Sequence, residues 1–69
     1  MRNTMSVTEY KVVGVYSAAW DTYTDIAAWD TLEKASVHAK AIILNDCVIE
    51  NKRYSRIEVV KVTEERVDI

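Results

Sequence analysis

Sixty-nine residues allow a single domain, and a chain this short buries only about 60% of the surface that its unfolded form exposes. Apolar residues make up 49%, charged residues 29%, and the net charge is −2. That balance argues against disorder and against a field strong enough to gather nucleic acid or an anionic membrane. One cysteine (Cys47) and one histidine (His38) leave no internal disulfide and no structural zinc site, so packing and association must supply the stability.

No stretch approaches the roughly 20 apolar residues that span a bilayer, and Met1–Met5 lacks the apolar run of a signal peptide. The expected setting is cytoplasmic, with no membrane and no cofactor. One domain is expected over residues 1–69, with 1–6 and 65–69 as loose tails.

With no proline and only Gly14 as a breaker, elements must be read from periodicity and capping. Glu9 to Ser17 is rich in Val and Tyr and reads as a strand. Its faces, Tyr10, Val12, Gly14, Tyr16 and Lys11, Val13, Val15, Ser17, are both largely apolar, which suits a central strand. A turn near Trp20, Asp21 and Thr22 leads to a shorter strand from Tyr23 to Ala28. Ala18-Ala19-Trp20-Asp21-Thr22 recurs as Ala27-Ala28-Trp29-Asp30-Thr31, too short to define a repeat unit.

Asp30 followed by Glu33 matches an N-cap and N3 pair, so a helix is predicted over residues 31–45. Leu32, Ala35, Ala39, Ile42 and Ile43 form its core stripe; Val37, Ala41 and Leu44 form a second stripe on one flank. Lys34, His38 and Asn45 mark the polar sector, which makes His38 a solvated surface side chain. Cys47, Val48 and Ile49 extend the helix or tie its end into the core, and Glu50–Arg53 is a charged loop. A last strand runs from Tyr54 to Thr63. Ile57 and Val59 are in one phase and Val60 and Val62 in the other, so either both faces are partly buried or a bulge shifts the register.

The order is strand, strand, helix, strand. A hairpin followed by a right-handed crossover gives an α+β domain, a three-stranded antiparallel sheet of order 2-1-3 with one helix on one face. Fifteen helical residues span roughly 22 Å, the length of a six- or seven-residue strand.

No catalytic constellation emerges. Asp21, Asp25 and Asp30 lack EF-hand spacing and read as turn, strand-edge and cap residues. Cys47 reads as a small apolar residue, and Gly14 sits alone inside a strand, where it cradles no phosphate. Lys52, Arg53, Arg56, Lys61 and Arg66 cluster late in the chain, and Tyr10 and Tyr16 share a sheet face as stacking aromatics do. Glu50, Glu58, Glu64 and Glu65 interleave with the basic residues, so a mixed-charge solvated face is favoured and a nucleic-acid regulator is the alternative.

Apolar side chains outnumber the places that one helix can hide them. Burial is worth about 25 cal/mol per Å², so wet Val and Tyr side chains would forgo several kcal/mol in so small a domain. Large exposed patches mark partner sites. The expected function is therefore a non-catalytic protein-binding module that docks on a larger protein or forms a homodimer through the uncovered sheet face. Tyr10, Val12, Tyr16, Trp20, Tyr23 and Trp29 are its candidate contacts, with both tryptophans equally readable as core plugs.

The layout from Tyr10 to Val62, with a hairpin, a Thr31-Leu32-Glu33-Lys34-Ala35 helix start and a Val-rich last strand, resembles small bacteriophage-encoded host-takeover proteins, among them inhibitors of bacterial RNA polymerase. That resemblance implies a non-catalytic inhibitor or adaptor of a host protein.

Overall fold

The computed structural model describes residues 3–68. Five strands and one helix follow in the order β1 (Asn3–Ser17), β2 (Asp21–Trp29), α1 (Leu32–Leu44), β3 (Val48–Ile49), β4 (Lys52–Arg53) and β5 (Arg56–Asp68). The main sheet is antiparallel in the order β2-β1-β5, and α1 packs across all three strands. The α+β class and the central place of the doubly apolar strand are as the sequence predicts. The additional β3-β4 pair replaces the expected loop at Glu50–Arg53.

Cross-strand pairing and side-chain alternation sort the two faces. Tyr10, Val12 and Gly14 share the helix side with Trp29 and Ala27 of β2 and with Val59 and Ile57 of β5. Val12, Ala35, Ala39 and Ile42 form the buried cluster there, and Tyr10, Ile26, Trp29, Ile49, Ile57 and Val59 pack around it. Small alanines at 35 and 39 let the helix approach the sheet closely.

A bulge decides which β2 residues join this core. The β1–β2 register shifts between Val12 and Val13, leaving Ile26 as the extra residue. Ile26 and Ala27 both pack against the core as a result, and Asp25 and Tyr23 turn to the opposite face. Without it, strict alternation from Trp29 would drive Asp25 beneath the helix. The β1–β5 register has no shift, so the mixed phase of Ile57, Val59, Val60 and Val62 arises because β5 uses both faces.

Thr31, not Asp30, is the N-cap. Its backbone is extended, and its Oγ1 accepts from the Lys34 N–H at 3.2 Å. Asp30 instead meets the Lys34 ammonium at 3.0 Å. At the other end the Cys47 N–H donates back to the Ile42 carbonyl, and Asp46 and Cys47 take positive φ values of 61° and 58°. The chain thereby reverses instead of extending the helix. Glu50 and Asn51, both at positive φ, then close the β3-β4 hairpin in the manner of a type I′ turn.

Residues 3–6 and 65–68 are not loose tails. Tyr10↔Trp29 is the last rung that β1 shares with β2, so the rungs from Asn3↔Asp68 to Glu9↔Val62 form a two-stranded ribbon beyond the helix. Seven rungs add roughly 23 Å, and the molecule measures 50 × 28 × 16 Å. Of the predicted tails, residues 1–2 and 69 lie outside the described residues.

Candidate interaction surface

The sheet face away from the helix was expected to be a bare apolar surface. Its centre is covered from within. Val13 and Val15 point to that side and are nonetheless buried, Val15 at 0% exposure. Long polar neighbours on β1 and both flanking strands close over them. Lys11 meets Asp25 at 3.2 Å, and Arg56 meets Asp21 at 3.0 Å and Glu58 at 3.1 Å. The Ser17 hydroxyl donates to Asp21 at 2.5 Å. That hydroxyl, then the Arg56 guanidinium, holds the Asp21 carboxyl below the usual carboxylate range; Asp21 and Glu58 push the guanidinium further up.

Apolar side chains remain exposed on that face at Tyr23, Val60 and Met5, and further exposed apolar surface lies elsewhere. Trp20 is 77% exposed at the β1-β2 tip, with Tyr16 on the helix side and Tyr23 on the other. Beside them Tyr54 is buried over Gly14, where an added Cβ would sit 2.6 Å from its ring. The Lys52 ammonium lies 5.3 Å from the Tyr54 centroid and 5.7 Å from that of Tyr16, bridging the two rings. The Tyr54 N–H donates to the Cys47 carbonyl, and the Ser55 N–H donates to the Val15 carbonyl and anchors this corner to the sheet.

The second exposed region runs along the outer helix. Val37 is 64% exposed with Leu44 on the same side of the helix, and Leu32 and Ile43 are exposed on the opposite flank. Between that surface and the β2 end lies an open, mainly apolar groove of about 650 Å³ lined by Trp29, Thr31, Glu33, Lys34, Val37, His38 and Ala41. His38 is not the fully solvated side chain expected from its polar neighbours. It is half-buried, its Nδ1 accepts from the Trp29 Nε1–H at 3.1 Å, and the rings meet edge-on at 5.6 Å. This bond requires the unprotonated Nδ1 tautomer.

The six predicted contact residues therefore divide. Tyr16, Trp20 and Tyr23 are exposed around one tip, and Trp29 lines the groove while packing on the core. Tyr10 packs against the core, and Val12 lies fully inside it, where no partner reaches it. The helix covers the strand face on which Val12 lies. The groove was missed because Trp29 and His38 sit on different elements; their nine-residue separation carries no helical or strand signal.

Among the described residues no group of three or more His, Cys, Asp or Glu converges to hold a metal ion, and no helix is long and apolar enough to cross a membrane. Three of the five clustered basic residues hold carboxylates of the same chain: Arg53 with Asp46, Arg56 with Asp21 and Glu58, and Arg66 with Glu64. Comparison with protein-family models, with curated proteins and with solved structures finds no match to this chain.

Proposed function

We propose that this chain is a non-catalytic protein-binding module, an inhibitor or adaptor that docks on a larger protein through the outer helix and its groove. One observation carries the reading. The apolar groove of Trp29, Val37 and Ala41 continues into exposed apolar helix side chains, while the buried core amounts to little more than Val12, Val13, Val15, Ala35, Ala39, Ile42 and Tyr54. A domain that leaves such side chains wet forgoes stability that a partner would restore. The resemblance to phage host-takeover proteins would make that partner a bacterial protein.

Immobilised protein is expected to retain a defined protein from bacterial lysate, and Val37→Glu is expected to abolish retention with the circular dichroism spectrum unchanged. Failure of the parent chain to retain anything would overturn the reading. The nucleic-acid alternative is disfavoured because Arg53, Arg56 and Arg66 are engaged by carboxylates and Lys52 lies over two tyrosine rings. A salt-sensitive mobility shift with single-stranded or duplex DNA or RNA would reinstate it.

A further inference from the structure

A thirteen-residue strand at the edge of a sheet is an association hazard that folds usually blunt with a bulge, a proline or a covering loop. The outer edge of β5 has none of these three and is guarded only by charged side chains, among them Glu58, Lys61, Glu64 and Arg66. It is the last strand of the sheet, it carries no proline or glycine, and its register on β1 is unbroken from Arg56 to Asp68. The opposite edge, β2, is shorter and bulged.

We infer that the β5 edge is a homodimer interface in which two copies pair β5 against β5 antiparallel about a twofold axis through Val62, forming a six-stranded sheet in the order β2-β1-β5-β5-β1-β2. The inference rests on the reading of this chain as an association module, but it uses a different surface from the groove.

Symmetry and charge choose the register. A twofold axis normal to the sheet keeps each side chain on its own face, so paired positions must share parity. Centring on Val62 overlaps the two strands along their whole length and sets Val62 against itself. It places Glu58 opposite Arg66 of the second copy, Ile57 opposite Val67 and Lys61 opposite Thr63, with no like charges facing. Centring on Lys61 would oppose Lys61 to Lys61, Glu58 to Glu64 and Arg56 to Arg66, a row of repulsions. Centring on Thr63 shortens the ladder by two residues and sets Arg66 against Val60, losing the Glu58–Arg66 match. The charges that would discourage random pairing of this edge thus favour one register.

Two further features bear on the same operation. It gives the β5 side of the marginal β1-β5 ribbon a third strand, since an isolated two-stranded ribbon is barely stable in water. It also puts both helices on one side of the sheet. By helical spacing Ile43 lies on the flank away from the Trp29 groove, towards β5, and it is half exposed in the single chain.

In a Cys47→Ser background, Val62→Cys is expected to form a disulfide-linked dimer rapidly under mild oxidation, because facing Cα atoms lie within disulfide range. Val60→Cys and Glu64→Cys, each displaced by four residues from its own copy, should cross-link far more slowly. Sedimentation equilibrium should show the unmodified chain at twice its 7.9 kDa mass. Arg66→Glu should weaken the dimer about tenfold, and Glu58→Lys added to it should recover most of that loss. A monomer at all concentrations, cross-linking that favours residue 60 or 64, or an Arg66→Glu effect that Glu58→Lys leaves unrepaired would each overturn the inference. None of these results bears on lysate capture through Val37, so the module reading fails only if that capture fails.

Discussion

Gly14 shows how one missing atom shapes this molecule. Its backbone needs no positive φ; what matters is space, because the Tyr54 ring lies where a Cβ would go. Gly14→Ala is expected to displace Tyr54 and cost about 1–3 kcal/mol, read as a lower urea midpoint with an unchanged slope. Asp21 links charge to pH. Its folded carboxyl titrates below the ordinary value of 3.8, so its stabilising contribution is fully present above that value and is lost as pH falls through the folded one. Asp21→Asn should therefore lower stability at neutral pH and make the acid limb of the stability curve shallower, measured by denaturant melts across the acidic range. The Trp29–His38 bond is the third device at this scale. His38→Leu leaves the half-buried indole donor without its acceptor and should cost about 1 kcal/mol.

At the scale of elements, the turns were harder to read than the strands. Val- and Tyr-rich runs announce β1 and β5 directly, and the i, i+3, i+4 spacing of Leu32, Ala35, Ala39 and Ile42 announces α1. The β3-β4 hairpin carries no such signal. Glu50-Asn51 holds positive φ at both turn positions without a glycine, so its sequence looks like a charged loop. Replacing the turn by Asn-Gly through Glu50→Asn with Asn51→Gly should raise stability by about 0.5–1 kcal/mol, seen as a higher thermal midpoint. The bulge at Ile26 is equally silent. Its effect is large because it carries Asp25 and Tyr23 from the core side to the outer face.

Across the whole molecule, stability should be graded along the long axis. Amides of β1 from Tyr10 to Val15 lie between two strands and under the helix, whereas those of Asn3–Glu9 and Val62–Asp68 belong to a two-stranded ribbon. Hydrogen exchange at low concentration should be fast in the ribbon and slow in the centre. Raising the concentration should slow the ribbon selectively if the β5 edges pair, which ties this gradient to the dimer.

The repeated Ala-Ala-Trp-Asp-Thr segment separates what is local from what is not. In both copies the sequence dictates chain punctuation, one at the β1-β2 turn and one at the α1 cap. Yet Trp20 is exposed and Trp29 packs on the core against His38; Asp21 holds Ser17 and Arg56, and Asp30 holds Lys34. Element type and the central position of β1 were legible because hydrophobic period and side-chain shape act within a few residues. Tertiary structure alone decided the burial of Val13 and Val15 beneath charged side chains, the groove beside Trp29 and the ribbon built from both ends of the chain. Each of these needs residues distant in sequence to meet, and no short window of sequence encodes such a meeting.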